Sequence, residues 1–308
     1  MFTVRTLKPR DFDAVAELIY LSTNSWYQKN RGYEIFEGGP EVCRLFCDVY
    51  EELDPGCAMV AEHNTRKTII GSCFVHPRET HISIGIMNVH PSYFGDGVAG
   101  ALMDSAIAFA KQEGQPIRLV SSAMNLESFS LYTRKGFVPF ATYQDVMFDV
   151  PLAGIPEPDL IKGIEVREAD PHDLMAMGHL EFEVSGISRE QDYCYFEENA
   201  SGVWQTLVAP DQDGEIDGFL VSIDHPGSRM IGPGVARTPE VAAALVHRQL
   251  DRFRGKKVVC LSPVDQPVLV NALYGMGGRN VEIHLGQVLG EAQPVDGVVM
   301  PSFMPETG

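Results

Sequence analysis

Positive charge is the first thing this chain is short of. Its 308 residues carry 24 Lys and Arg against 42 Asp and Glu, a formal net charge of −18. Such a surface repels polyanions, so nucleic acid and anionic membranes are excluded as expected partners, and a cationic small molecule is compatible. Long apolar runs are missing too. No stretch reaches the ~20 residues that cross a bilayer, and the opening MFTVRTLKPRDF has no apolar signal-like core. A cytoplasmic protein is the expectation. The six cysteines (Cys43, Cys47, Cys57, Cys73, Cys194 and Cys260) are scattered with no C-x-x-C pair. No metal is expected, and reduced, mostly buried thiols are.

What is present is ordinary for a globular protein, with 44% hydrophobic and 21% charged residues. The length points to two domains rather than one. One stretch organises the first of them, Val89-His90-Pro91-Ser92-Tyr93-Phe94-Gly95-Asp96-Gly97-Val98-Ala99-Gly100-Ala101-Leu102. It leaves an apolar strand (Ile82 to Val89), crosses a glycine loop and enters a helix with Val98, Leu102, Ala106 and Phe109 on one stripe. Glycines admit close approach of backbone N–H groups, first-turn amides lack internal partners, and the helix dipole adds partial positive charge. The stretch is therefore a candidate phosphate cradle, with a plain strand-to-helix turn as the alternative. No Lys-Ser/Thr follows the glycines, and G-x-G-x-x-G spacing is absent, which argues against a P-loop or a dinucleotide fold.

Val89, Pro91, Gly97 and Ala99 match V-x-P-x-x-[R/Q]-x-x-G-x-[G/A], and the chain here resembles the acetyl-CoA-binding signature of the GNAT acetyltransferase superfamily. Phe94 stands where the family usually has Arg or Gln. Downstream, Asn125-Leu126-Glu127-Ser128-Phe129-Ser130-Leu131-Tyr132-Thr133-Arg134-Lys135-Gly136-Phe137 is similar to the family's N-x-x-[S/A]-x-x-L-Y-x-x-x-G-F. The resemblance implies an α/β (α+β) fold, with a mixed, mostly antiparallel twisted sheet flanked by helices. It also implies acetyl-CoA as acyl donor and direct attack by an amine in a ternary complex.

The chain then repeats its plan. Pro151 to Gly163 (PLAGIPEPDLIKG) reads as a linker between a domain at 1–150 and a second at 164–308. Ile164-Glu165-Val166-Arg167-Glu168-Ala169-Asp170 echoes Val4 to Asp11, and Leu273-Tyr274-x-x-x-Gly278 echoes Leu131-Tyr132-x-x-x-Gly136. Two tandem GNAT-like domains follow. In the second, the connection from Val235 to Leu245 is shorter by about three residues than that from Val89 to Leu102 and lacks the glycine pair. Thr238 and Pro239 make an ordinary helix start there, so the second copy reads as degenerate.

Under the resemblance, Gly95, Asp96, Gly97, Val98 and Ala99 offer amides to the pyrophosphate, with Phe94 beside them. Met87 and Val89 hold the pantetheine arm through backbone groups, and Asn125 and Ser128 touch it. Tyr132 is the general acid for the departing thiolate, and Tyr274 is structural. An alkylammonium must lose a proton of pKa near 10.4 before it attacks. The family often keeps a Glu for this on the strand before the loop. None is there, so His81 is the chosen base, while Glu34, Glu37 and Asp48 are lesser candidates for holding the amine's charge. The irregular aromatic segment Ser22 to Pro40 is expected over the acceptor side. Cys73 could suggest a covalent route, but no Cys-His pairing is legible. The alternative from another class is an acyl-CoA sensor or scaffold without transfer. The acceptor is read only as an amine on a small molecule or peptide, and monomer and homodimer stand equal.

Overall fold

One aspartate ties the opening strand to the helix after it. In the computed structural model, which describes residues 1–302, β1 (Phe2–Thr6) turns into α1 (Phe12–Arg31). Arg5 donates to both Asp11 carboxylate oxygens at 2.7 and 3.0 Å, and the Lys8 amide donates to the same carboxylate at 3.0 Å. Next come α2 (Arg44–Leu53), β2 (Met59–His63), β3 (Ile69–Pro77), β4 (Ile82–Val89) and α3 (Val98–Glu113). Then follow β5 (Ile117–Ser122), α4 (Leu126–Arg134), β6 (Val138–Asp149) and β7 (Arg167–Glu168). The rest of the chain forms α5 (Leu174–Ser185), α6 (Glu190–Glu198), β8 (Trp204–Pro210), β9 (Ile216–His225), β10 (Ser228–Ala236), α7 (Pro239–Leu250), β11 (Lys257–Pro263), α8 (Pro267–Gly275), β12 (Arg279–Leu289) and β13 (Val298–Met300).

Two compact units result: Met1–Pro77 with His81–Ile117, and Arg78–Thr80 with residues 118–302. In the first, β1, β2, β3 and β4 form an antiparallel sheet in that order. Gly71 faces α3. A Cβ there would sit 2.7 Å from Val98 and 3.0 Å from Leu102, so its missing side chain lets the helix lie close. Successive strand residues alternate faces, so Ser72 and its partner Asn88 face α1, where Asn88 donates to Ser22 Oγ at 2.8 Å.

In the second unit the strand order is β5-β12-β6-β11-β10-β9-β8-β7, with β13 beside β10. The last long strand of each sequence repeat has crossed to the other. β6 pairs along β11, from Lys257↔Asp149 to Pro263↔Tyr143, while β12 runs between β5 and β6. Val146 and Phe148 of β6, and Val150 just after it, share one core with Leu245, Leu250, Leu269 and Leu273 of α7 and α8. This exchange is why the chain condenses around a break at Ile117/Arg118. The repeat itself is exact at two places. Arg167 grips Asp173 at 2.7 and 2.8 Å as Arg5 grips Asp11. A Cβ on Gly218 would meet Val241 and Leu245 at 2.6 and 2.9 Å, as one on Gly71 meets Val98 and Leu102.

Those aspartates predict an acid limb. Arg5 and Arg167 hold the Asp11 and Asp173 carboxyls below their ordinary 3.8. A carboxylate depressed by folding stabilises fully above its unfolded pKa, and that contribution is lost as pH falls through the folded value. Stability followed by circular dichroism is expected to drop below about pH 4, and Asp11→Asn to flatten that limb and cost about 1–2 kcal/mol at pH 7. Asp173→Asn should cost less, since the Arg167 side chain is 39% exposed and more screened than Arg5 at 22%.

Three expectations are corrected. Residues 22–31 of the segment read as irregular are helical, because α1 continues to Arg31. Buried Ser22 and Asn24 interrupt its apolar period but are satisfied by backbone. Ser22 donates to the Leu18 carbonyl at 2.7 Å, and Asn24 bonds Ile35 and Phe36 of the returning chain. The strands read between Phe137 and Val150 are one 12-residue strand. Two strands, β12 and β13, went unread. Among the described residues, no helix is long and apolar enough to cross a membrane, and no cluster of His, Cys, Asp and Glu suits a metal.

Candidate active site

The loop between β4 and α3 is built for exposed backbone donors. After a single turn at Pro91–Tyr93, Gly95 and Gly97 adopt left-handed φ of +87° and +81°. A Cβ on either would meet nothing within 4 Å, so conformation and not crowding demands glycine at both. Gly97 caps α3 with no side chain, leaving the first-turn amides of Val98, Ala99 and Gly100 without a capping acceptor. Those amides and the dipole of a 16-residue helix leave donors and partial positive charge at this helix start, the features that favour an anion. Phe94 is 52% exposed and offers no polar group, and Asp96 is exposed beside it. A groove of about 890 Å³ opens between α1 and the sheet, lined in part by Arg5, Asp11, Glu62, Arg66, His90 and Tyr93, and it stops short of Gly95. Arg66 donates to the Tyr93 hydroxyl there at 3.1 Å.

The strand leading to the cradle is irregular. Cys73 pairs with Met87 but Val75 pairs with Ile84, so β4 carries one extra residue, a bulge at Gly85–Ile86. Met87 and Val89 pair toward β3 with Cys73 and Gly71. His81 is 2% exposed, and its Nε2 lies 3.1 Å from Ser83 Oγ. Cys73 is fully buried, its thiol directed to a backbone carbonyl. Sequence reading missed a further pair on this sheet. His76 Nδ1 lies 2.6 Å from Asp54, both nearly sealed, with the Tyr50 ring 4.5 Å from the imidazole. The carboxylate fixes the ring's tautomer and orientation. No local spacing announces a pair 22 residues apart that only the sheet brings together.

In the second unit, Tyr132 lies on α4, 8% exposed, its ring 6.0 Å from Phe137. Asn125 caps that helix by accepting from the Ser128 amide at 3.1 Å, so this pair has a local task of its own. The counterpart of the cradle is closed here. Thr238 caps α7 through the Val241 amide at 3.3 Å. β10 pairs in parallel with β11 only at Met230 and Ile231. Beyond that point β13 covers β10, with Gly234, Val235 and Ala236 opposite Met300, Val299 and Val298. The chain's own strand thus occupies the backbone edge that would answer to Val89. Tyr274, the counterpart of Tyr132, is 42% exposed and its hydroxyl donates to Gln144.

Residues 16–137 match the sequence profile of the Acetyltransferase (GNAT) family, and residues 185–284 match that of an Acetyltransferase (GNAT) domain. The chain belongs to the GNAT superfamily. It holds two copies of that fold in tandem, and the superfamily's chemistry is acyl transfer. Three solved structures show the same fold at low identity. A Pyrococcus horikoshii protein classed with the acetyltransferases is 17% identical, with a TM-score of 0.75 over 98% of this chain and 95% of that one. A GCN5-related N-acetyltransferase from Sphaerobacter thermophilus is 20% identical, with a TM-score of 0.65 over 96% and 97%. A tandem GNAT protein from the clavulanic acid biosynthesis pathway, solved without AcCoA, is 14% identical, with a TM-score of 0.63 over 94% and 98%. No protein of curated function matches this GNAT sequence significantly.

Proposed function

We propose that this GNAT protein is a cytoplasmic N-acetyltransferase that moves the acetyl group of acetyl-CoA to a primary amine of a small molecule or peptide. The uncapped, glycine-flanked start of α3 carries the reading. Acetyl-CoA supplies an activated thioester. The chain's residues bind and orient it: amides from Gly95 to Ala99 take the diphosphate, and the Met87–Val89 backbone takes the pantetheine arm. Asn125 and Ser128 flank that arm, with Ser128's hydroxyl free of the capping bond its amide makes. His81 accepts the ammonium proton, and Tyr132 holds the proton that the leaving thiolate needs. Because Phe94 cannot donate, the cradle relies on amides and dipole alone, which lowers affinity without abolishing it.

Thiol release from acetyl-CoA with a panel of amino acids, polyamines and aminoglycosides tests the reading. Calorimetry should return one CoA per chain, since β13 covers the second copy's edge and Thr238 caps its helix. Two equivalent sites would contradict that asymmetry. The exposed Phe94 in the Arg/Gln position favours a second reading, an acyl-CoA sensor. Tight CoA binding with no turnover across the panel would select it.

A further inference from the structure

Cations are scarce in this chain, 24 Lys and Arg against 42 Asp and Glu, yet the groove of the first unit reverses that balance. Arg5, Arg10, Arg66 and Lys67 line it, against the three acids Asp11, Glu17 and Glu62. Two of those acids are already neutralised. Arg5 donates to Asp11 at 2.7 and 3.0 Å and to Glu62 at 2.7 and 3.0 Å. Lys67 adds a looser pair to Glu62 at 3.4 Å.

Arg66 has no such partner. It is exposed on the turn between β2 and β3, and no carboxylate among the described residues pairs with it. Its guanidinium donates to the Tyr93 hydroxyl at 3.1 Å, so that hydroxyl accepts there and keeps its own proton to donate. The Tyr93 ring is held between two imidazoles, with the His63 and His90 centroids 5.9 and 5.7 Å away. The Ser92 amide donates to His90 Nδ1 at 3.1 Å, which leaves the ring's proton on Nε2 as a further donor. Guanidinium, phenol, imidazole and the Lys67 ammonium are donors whose shared complement is an anion. They come from two separate turns around one opening. That arrangement suits a tetrahedral oxyanion, which accepts in several directions, better than a planar carboxylate matched to one fork. Leu18, Leu21 and Ile70 add apolar surface to the same groove, and about 890 Å³ is room for a small organic molecule.

We propose that this groove binds a small phosphate monoester, with its phosphoryl group on Arg66, Lys67, Tyr93 and His90 and its apolar body along Leu18 and Leu21. The groove is separate from the diphosphate seat proposed above. It stops short of Gly95. Its wall α1 packs on the face of the sheet where Asn88 reaches Ser22, whereas α3 packs on the other face, over Gly71. No bond is made or broken in it, and its occupancy needs neither acyl transfer nor an amine.

Phenyl phosphate, added to the full chain with sodium chloride matching the ionic strength, is the probe. It should raise the melting midpoint by about 2–5 °C. Inorganic phosphate should shift it less for want of an apolar body, and benzoate less because it is planar. Arg66→Met changes an exposed side chain with no ion pair, so it should melt within about 1–2 °C of wild type. By calorimetry it should bind phenyl phosphate about tenfold or more weakly. Tyr93→Phe loses one donor and should bind it about threefold or more weakly. Gly97→Val, which alters the glycine loop, should bind it as wild type does. No shift beyond that of chloride, or full affinity in Arg66→Met, overturns the site. Equal shifts with benzoate and phenyl phosphate overturn the phosphate assignment, and equal shifts with inorganic phosphate overturn the apolar body. Displacement of phenyl phosphate by CoA, with CoA weakened in Arg66→Met, would make the groove a seat for the cofactor's own phosphates and overturn a separate site. If phenyl phosphate binds through Arg66 but CoA does not bind at all, the acetyl-CoA reading fails while the groove stands.

Discussion

Replacing Tyr132 with Phe is expected to lower kcat by about 10²- to 10⁴-fold while leaving CoA affinity within about twofold of wild type. The substitution removes one oxygen from a side chain that is 8% exposed and packed beside Phe137. The Tyr132 carbonyl, which receives the Lys135 and Phe137 amides at 3.0 Å each, is untouched. The helix end therefore persists, and the melting midpoint should change little. Under the proposed transferase reading, what disappears is the proton donor for the thiolate leaving group. Steady-state kinetics with calorimetry on the same preparation separates the two readings. Equal activity in Tyr132→Phe and wild type would remove this residue from the chemistry, and an inactive wild type that binds CoA would favour the sensor.

Gly97→Val is the second substitution with a large expected effect. Gly97 sits at φ +81°, where a β-branched residue is strained by about 1–2 kcal/mol. A Cβ there would touch nothing within 4 Å, so the penalty is one of backbone conformation alone. The loop relieves it by rotating out of the left-handed region, which turns the Val98, Ala99 and Gly100 amides away from a shared anion. CoA affinity is expected to fall about tenfold or more, together with a modest loss of stability. Gly32→Val is the matched control. Gly32 also has φ near +80°, at +79°, with nothing within 4 Å, but it ends α1. It should show the stability loss without the affinity loss. Equal CoA dissociation constants in Gly97→Val and Gly32→Val would mean the cradle does not hold the diphosphate.

Much of the first unit was legible because its signals are local. Ile82 to Val89 alternates and is β4, residue for residue. The two loop glycines announce the left-handed turns found at Gly95 and Gly97. The echo of Val4–Asp11 in Ile164–Asp170 marks a turn that is repeated, but three residues off at its end: Asp173, not Asp170, answers to Asp11, and Asp170 stands where Lys8 does. Periodicity failed where a buried position is polar, as at Ser22 and Asn24, since hydrogen bonds to backbone replace apolar contact there. It failed again at β12. That strand's side chains alternate weakly because His284, Glu282 and Gln287 find buried partners on β6 and β5: His284 meets Asp145 at 2.6 Å, Glu282 accepts from Ser122, and Gln287 accepts from Ser121 at 2.8 Å.

By itself the sequence determined that this chain holds two copies of an acyltransferase fold and that one of them keeps a glycine cradle. Glycine spacing, caps and alternation act over a few residues, and such signals survive in one dimension. Only the tertiary structure decided that β6 and β12 change places, that β13 covers the second copy's strand edge, and that His76 meets Asp54. Each of these joins residues far apart in the chain, and the burial that makes them matter comes from the packed sheets.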